Sequence, residues 1–467
     1  MPEKYDLIVI GSGPGGYVAA IRASQLGMKV VVIEKRDTLG GVCLNEGCIP
    51  SKALLDSSEH FAQARDKFAL HGIDIEPPRL NLGAMMTRKN DVVKKLTDGV
   101  AYLFKKNKIA LVTGTATLKG IDEEGLQQVS VDTGEFLSGT RILLATGSEP
   151  IPLPGIPFDG RLVVSAREAL AFEQVPEHLV VVGAGYIGLE LGSVWRRLGA
   201  KVTVMEALPG IISTSDRQLA DYLQRTLKKQ GIAFRLNTRV TAVLSKGKGL
   251  IVQSSSDSEN AEVDCDRLLV AIGRRPLIST LGIESLGVQR DKNGRIVVDE
   301  NFQTTVSGIY AIGDLIPGPM LAHKASEEAV ACVERISGKE TVLDYDALPG
   351  IVYTWPEGAS VGKTEEELKG SGVNYKVGKF NFMGNGRARA MDETDGFVKV
   401  LADPDSDRIL GIHIVGPRAS DMIAEAVTAI TLKATAHVLG SQFHAHPTLS
   451  EALKEAALDL NKEAIHV

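Results

Sequence analysis

Apolar positions along this chain gather in short, unbroken runs, each closed by glycine or an acid. Leu7-Ile8-Val9-Ile10, Val30-Val31-Val32-Ile33, Leu179-Val180-Val181-Val182 and Leu268-Leu269-Val270-Ala271-Ile272 are the clearest. Runs of this length without alternation read as strands buried on both faces, the arrangement of a parallel sheet. Apolar helices follow the glycines, so strand and helix alternate and an α/β fold is predicted. Beyond about Asp346 the pattern changes to alternating strands such as Tyr375-Lys376-Val377-Gly378-Lys379-Phe380, then to helical stretches rich in Ala and Glu. That part reads as a separate α+β domain without a cofactor signature of its own.

One unit occurs twice. Asp6 to Ile10 runs into Gly11-Ser12-Gly13-Pro14-Gly15-Gly16, an apolar helix, Gly27, the strand Val30 to Ile33, and Glu34. Leu179 to Val182 does the same through Gly183-Ala184-Gly185-Tyr186-Ile187-Gly188, Gly199 and Val202-Thr203-Val204-Met205 to Glu206. Both acids follow the first glycine by the same interval. Strand, glycines, helix, strand and terminal acid at one spacing predict two dinucleotide-binding βαβ units. The glycines allow a tight turn and the approach of a pyrophosphate, the helix N-terminus meets its charge, and the carboxylate holds ribose hydroxyls.

Ile142-Leu143-Leu144-Ala145-Thr146-Gly147-Ser148 reads as a buried strand ending in a turn, and the proline-rich stretch Glu149 to Gly155 as a boundary. Leu268 to Pro276 closes the second unit in the same way. Gly308-Ile309-Tyr310-Ala311-Ile312-Gly313-Asp314 then offers another strand with an acid just past its end. The first domain is therefore expected to be interrupted. Residues 1–146 and 276–345 form one dinucleotide-binding domain, 147–275 a second, and 346–467 the α+β domain.

The reactive chemistry lies in Gly40-Gly41-Val42-Cys43-Leu44-Asn45-Glu46-Gly47-Cys48-Ile49-Pro50-Ser51-Lys52. Thiols five positions apart close only a small ring, so stapling the fold is not their obvious use. Pro50 suits the first turn of a helix, which sets Cys48 at a helix N-terminus that favours a thiolate. A structural disulfide and half of a zinc site are the competing readings. Cys265 and Cys332 stand alone without metal-like spacing, and no metal site is expected. Near the other end, His444-Ala445-His446-Pro447-Thr448-Leu449-Ser450-Glu451 pairs a histidine suited to proton transfer with a carboxylate able to orient it. Ser450 and Glu451 equally resemble the cap and first turn of a final helix, Glu451 to Leu460. His444 is a surface or auxiliary residue in this reading.

Composition narrows the partners. At 467 residues there is room for about three domains, and 48 glycines suit a fold full of tight turns. A net charge of −6 with no basic run argues against nucleic acid. No apolar run approaches the roughly 18 residues that span a bilayer, so no membrane partner is expected. The first strand begins almost at once, leaving no room for a signal peptide, and a cytoplasmic location is the simplest expectation. A processed organelle protein would look the same.

With these residues in hand, the chain resembles the dihydrolipoamide dehydrogenases of the class I pyridine nucleotide-disulfide oxidoreductase family. The resemblance spans essentially the whole length. It rests on GGVCLNEGCIPSKALL at Gly40 to Leu55, ATGS at Ala145 to Ser148, VVGAGYIGLELG at Val181 to Gly192, YAIGD at Tyr310 to Asp314, and HAHPTLSEA at His444 to Ala452. It implies two Rossmann-like domains and a C-terminal dimerisation domain. FAD would be held by Gly11, Gly13, Gly16, Glu34, Lys52, Thr146, Gly147, Ser148 and Asp314, with Ala116 and Ala322 as backbone contacts. NAD would be held by Gly183, Gly185, Gly188, Glu206, Val240 and Gly273. Lys52 and Glu190 match the family's ion pair beside the flavin. Catalysis would fall to Cys43, Cys48, His446 and Glu451. The implied partners are a second copy of the chain and a lipoylated acyltransferase component of a 2-oxo acid dehydrogenase complex, or a lipoylated H protein.

Two alternatives stand beside it: a glutathione-type flavin reductase, and a non-catalytic flavin-stabilised assembly subunit. The first prefers NADPH and carries basic residues after the second unit's terminal strand, where this chain has Met205-Glu206-Ala207-Leu208-Pro209. The second needs none of the cysteine, histidine and glutamate set.

Overall fold

The computed structural model describes residues 4–257 and 259–466. By internal packing the chain divides into two units. The first comprises Met1–Leu54, Gly83–Ile151 and Gly273–Leu343; the second comprises Leu55–Leu82, Pro152–Ile272 and Asp344–Val467.

In the first unit a seven-stranded sheet runs in the order Ala110–Thr113, Val30–Glu34, Lys4–Ile10, Phe136–Leu144, Gln127–Val131, Ala116–Ile121, and Ile309–Ala311 also pairs with Phe136–Leu144. The pairings among the first four and with Ile309–Ala311 are parallel. Leu7, Ile8, Val31, Ile142, Leu143 and Leu144 are fully buried, as unbroken apolar runs in a doubly covered sheet require. Each contributes about 1.5–3 kcal/mol of burial. The helix Pro14–Gln25 lays Gly15, Gly16, Ala19, Ala20 and Ala23 inward at helical spacing. These small residues let it approach closely: a Cβ on Gly15 would come within 3.0 Å of Ile312.

The second unit holds three sheets. One is parallel, ordered Ile232–Arg235, Lys201–Met205, His178–Val182, Arg267–Val270, Val163–Val164, and repeats the βαβ plan with the helix Tyr186–Arg197. A three-stranded antiparallel sheet spans Arg239–Lys246, Gly249–Ser255 and Asn260–Cys265. The third is antiparallel, ordered Gly350–Val352, Glu357–Gly362, Ile409–Gly416, Phe397–Ala402, Lys376–Asn381. The helices Ala419–Thr431 and Glu451–Asp459 cover it, burying Ile423, Ala426, Leu453 and Ala456. Gly378 allows the last helix onto its strand, since a Cβ there would stand 2.1 Å from the Ala456 carbonyl oxygen.

Charge is also buried in this unit. The Lys399 ammonium, with no exposed side-chain area, donates to Asp216 at 2.8 Å and to Glu365 at 2.5 Å. Asp216 in turn caps the helix Arg217–Lys229 through the Gln218 N–H. The cluster thus ties a helix of the parallel-sheet part to the strand Phe397–Ala402 and the helix Glu365–Ser371. Among the described residues no helix is long and apolar enough to cross a membrane.

Candidate active site

The two glycine turns do the same thing twice. Gly11 and Gly183 sit at φ +97° and +104°, and a Cβ on either would press on the carbonyl oxygen of Ala145 or Ala271 at 2.5 and 2.4 Å. Gly16 and Gly188 have no room at all: their Cβ atoms would stand 1.9 and 2.1 Å from the carbonyl oxygens of Gly11 and Gly183. Gly13 and Gly185 face open space and form the N-caps of twelve-residue helices without a side-chain cap. Uncapped N–H groups beside an open approach are what a pyrophosphate needs.

The terminal acids match as well. Glu34, buried, accepts the Ser12 N–H at 2.9 Å and the Arg36 N–H at 3.0 Å. Glu206 accepts the Ala184 N–H at 2.7 Å and the Leu208 N–H at 2.8 Å. Each carboxylate thus spans from the residue after the first glycine to the residue two beyond itself. Glu34 also accepts the Ser12 hydroxyl at 2.7 Å, and each carboxylate still has acceptor capacity for a ribose hydroxyl. The residues present therefore fit two dinucleotides.

The cysteine segment is bonded to the first turn. The Gly40 N–H donates to the Ser12 carbonyl at 3.0 Å, and Gly41 packs so tightly that a Cβ would come within 2.6 Å of the Gly13 Cα. Cys43 lies in the short helix Gly41–Glu46, and Cys48 opens the helix Cys48–Asp66 with Pro50 in its first turn. Both are free thiols in this structure. A hydrogen bond to Cys48, then burial, pushes the Cys43 thiol up, while the Lys52 ammonium draws it down. Cys265 and Cys332 are buried, and burial pushes Cys265 up to about 12, which makes it inert.

Two features that hold this segment were not read from the sequence. Arg36 forks onto Glu46 at 2.6 and 3.0 Å, and Asn45 donates to the Leu39 and Gly41 carbonyls at 3.0 and 2.8 Å. A further omission is Arg274. It donates to the Ser148 hydroxyl at 2.7 Å and the Ser148 carbonyl at 2.6 Å, and that hydroxyl donates to Asp314. Burial lowers its guanidinium pKa, opposed by the charges of Asp314 and Cys48. The signal was present in Arg274-Arg275-Pro276, a cationic pair closing a crossover strand. Thr146 and Gly147 bind the returning chain at Leu277, with the hydroxyl donating to the Leu277 carbonyl at 2.6 Å. Ala116 opens a strand and is buried, and Ala322 is the first residue of the helix Ala322–Ile336.

The second unit holds the rest of the expected set except Gly273, which belongs to the first unit. Val240 lies in the three-stranded sheet at an irregularity between Val240 and Ala242. Glu190 is buried and accepts the Tyr353 N–H at 3.1 Å. His446 Nδ1 lies 2.9 Å from Glu451 Oε1, and the other oxygen accepts the Thr448 N–H at 2.8 Å. Burial pushes the Glu451 carboxyl up, but the Thr448 N–H and His446 outweigh it and hold the group below its usual value. An ionised carboxylate only accepts, so Nδ1 carries the proton and Nε2 is left as a base. The imidazole is largely exposed. The final helix ends at Asp459 rather than Leu460, and Ser450 takes the N-cap position without a side-chain bond. Glu451 spends its carboxylate on His446 and the Thr448 N–H. His444 is no surface residue: it is mostly buried and pairs with Glu425 at 2.9 Å.

Residues 5–329 match the pyridine nucleotide-disulphide oxidoreductase family and residues 348–457 that family's dimerisation domain. The chain belongs to the pyridine nucleotide-disulphide oxidoreductases. Over its whole length it is 52% identical to dihydrolipoyl dehydrogenase 2, mitochondrial, of Arabidopsis thaliana, covering 92% of that protein. It is 49% identical to the mitochondrial dihydrolipoyl dehydrogenase of Pisum sativum, again over the whole chain and 93% of the relative. The crystal structure of LpdA from Mycobacterium tuberculosis superposes with a TM-score of 0.89 at 26% identity, covering 97% of this chain and 99% of that one.

Two Rossmann-like units and a C-terminal α+β part are the architecture of this pyridine nucleotide-disulphide oxidoreductase, as expected. Its activity is that of an NAD-dependent dihydrolipoyl dehydrogenase carrying FAD. The cytoplasmic expectation is corrected: relatives at about half identity are mitochondrial proteins by name. A leader removed on import leaves no mark on packing or charge, so composition does not register compartment.

Proposed function

We propose that Cys43 and Cys48 are the redox pair of this dehydrogenase, working on lipoyl groups carried by an acyltransferase component of a 2-oxo acid dehydrogenase complex or by an H protein. The observation that carries this reading is the bond from Gly40 to Ser12, which anchors the cysteine segment on the first dinucleotide turn. In this reading the first turn, with Glu34, Lys52, Thr146, Gly147, Ser148 and Asp314, holds FAD. The second, with Glu206, holds NAD. Residues 1–146 and 276–345 form the flavin domain, 147–275 the nicotinamide domain and 346–467 the interface domain.

His446 Nε2 takes a proton from one substrate thiol, held in its tautomer by Glu451. The substrate thiolate attacks Cys43 Sγ in the oxidised pair, and the Cys43–Cys48 bond breaks with the electron pair on Cys48. The helix N-terminus and nearby cations favour that thiolate. The second substrate thiol then attacks the sulfur of its own chain bonded to Cys43, releasing the cyclic disulfide and leaving two reduced cysteines. FAD, when bound, carries the electron pair from the dithiol to NAD. Lys52, four positions after Cys48 on the helix Cys48–Asp66, supplies a cation near the cysteine pair.

The working form is a homodimer in which His446 of one subunit serves Cys43 of its partner. A dimerisation domain that carries the His446–Glu451 pair supports this, and a two-fold axis makes two equal sites. Cysteine variants test the pair: Cys48→Ser should abolish the long-wavelength thiolate–flavin band, and Cys43→Ser should keep it while losing lipoamide turnover. The reverse pattern refutes the assigned roles.

A further inference from the structure

Two charges buried in the first unit have no part in the chemistry above. Lys324 and Glu328 stand one turn apart on the helix Ala322–Ile336, with side chains 1% exposed and Nζ and Oε1 2.8 Å apart. A pair on one helix face could satisfy itself there. Instead both heads turn onto a single residue: Glu328 Oε2 accepts the Gly313 N–H at 2.8 Å, and Lys324 Nζ donates to the Gly313 carbonyl at 3.1 Å. Gly313 holds φ +69°, and a Cβ there would meet Ala325 at 3.1 Å, so the peptide is pressed against the helix that grips it. The next residue is Asp314, which accepts from Ser148, which accepts from Arg274.

We propose that Lys324 and Glu328 are positioning residues, an ionic clamp on the Gly313 peptide that fixes Asp314 for the flavin ribityl chain. This rests on the reading of Asp314 as a flavin ligand. Burying two charges is unfavourable unless every proton and lone pair is met, and an apolar pair of the same shape is often as stable or more so. A clamp that only stabilised the fold would be replaceable by such a pair. One that positions a peptide is not, because an apolar pair leaves the Gly313 N–H without its acceptor and the carbonyl with only the Ile316 N–H at 3.3 Å.

The test compares FAD binding to three full-length chains by titration of the apoprotein. Asp314→Ala establishes the underlying reading, and FAD affinity equal to the parent's would overturn that reading rather than the clamp. With that in place, Lys324→Met/Glu328→Gln keeps an acceptor for the Gly313 N–H, whereas Lys324→Met/Glu328→Leu is the apolar pair with none. The clamp predicts that the Met/Leu chain binds FAD about tenfold more weakly than the Met/Gln chain, although the apolar pair packs at least as well. Equal or tighter binding by the Met/Leu chain makes the pair merely structural and overturns the proposal. Should the Met/Leu chain not fold, Lys324→Met/Glu328→Gln against the parent decides: it keeps the acceptor for the Gly313 N–H but removes the Lys324 donor to the carbonyl, so a fivefold or greater loss of FAD affinity supports the clamp and a smaller one refutes it.

Discussion

Replacing Glu206 by Gln should narrow the preference for NADH over NADPH, mainly by improving NADPH. In the structure the carboxylate is pinned by two backbone N–H groups, from Ala184 at 2.7 Å and Leu208 at 2.8 Å, so it cannot swing away from an incoming 2′-phosphate. Two unit charges about 5 Å apart repel by roughly 0.8 kcal/mol in bulk water and about 3.3 kcal/mol at an effective dielectric of 20. Glu206 is partly exposed, which places the effect between these limits. The kcat/KM ratio for the two nucleotides should therefore fall between about fourfold and a few hundredfold in Glu206→Gln. Glutamine keeps the shape and one backbone acceptor, so a collapse of the turn is not what is measured. Steady-state oxidation of NADH and NADPH with a dye acceptor reads the ratio without involving the cysteines. Raising ionic strength should shrink the parent's discrimination, because exposed charges are screened within about 10 Å at 0.1 M salt. A ratio in Glu206→Gln within twofold of the parent's at low salt would refute the electrostatic argument. A change confined to NADH would assign discrimination to the ribose hydroxyls instead.

Gly16→Ala puts a methyl 1.9 Å from a backbone oxygen, so the turn must open. The purified protein should lack FAD by its flavin-to-protein absorbance ratio, and full retention would refute the close-approach role. Lys399→Met leaves Asp216 buried without its cation and should destabilise the chain by about 3–5 kcal/mol in denaturant titration. A loss under about 1 kcal/mol would deny the cluster that role. The same cluster predicts acid lability. Burial raises Glu365, but the bonds from Lys369 and Lys399 hold it to about 2; burial raises Asp216, but His413 and Lys399 hold it below its ordinary value. Both carboxyls bind fewer protons folded than unfolded, so their stabilisation is full above about pH 4.3 and lost as pH falls toward 2. His413, which burial keeps neutral, adds a loss beginning as pH drops through about 6.5. Lys399→Met should flatten the acid limb of a stability–pH curve, and parallel curves would refute the linkage. Glu451→Gln removes the carboxylate that orients His446 and should lower lipoamide turnover by about 10–100-fold while dye reduction is unchanged. Equal losses in both assays would mean a fold defect.

Local pattern alone determined much of this protein. Unbroken apolar runs marked the buried parallel strands, and the doubled glycine spacing marked both dinucleotide turns. Pro50 marked the start of the helix that carries Cys48, and five-residue spacing linked His446 to Glu451. Each depends on neighbours in the chain: strand burial, a left-handed turn, a helix start, a carboxylate within one turn. The tertiary structure decided where buried charges find their partners. Arg274 meets Ser148 across 126 positions, and Lys399, a cation inside an otherwise apolar strand, meets Asp216 across 183. Lys324 and Glu328 stand at plain helical spacing, and nothing local says that both heads turn onto Gly313. A buried charge takes whichever opposite group the packing brings within hydrogen-bond reach. Periodicity reports which face of an element is dry, and only the fold reports what waits on the other side.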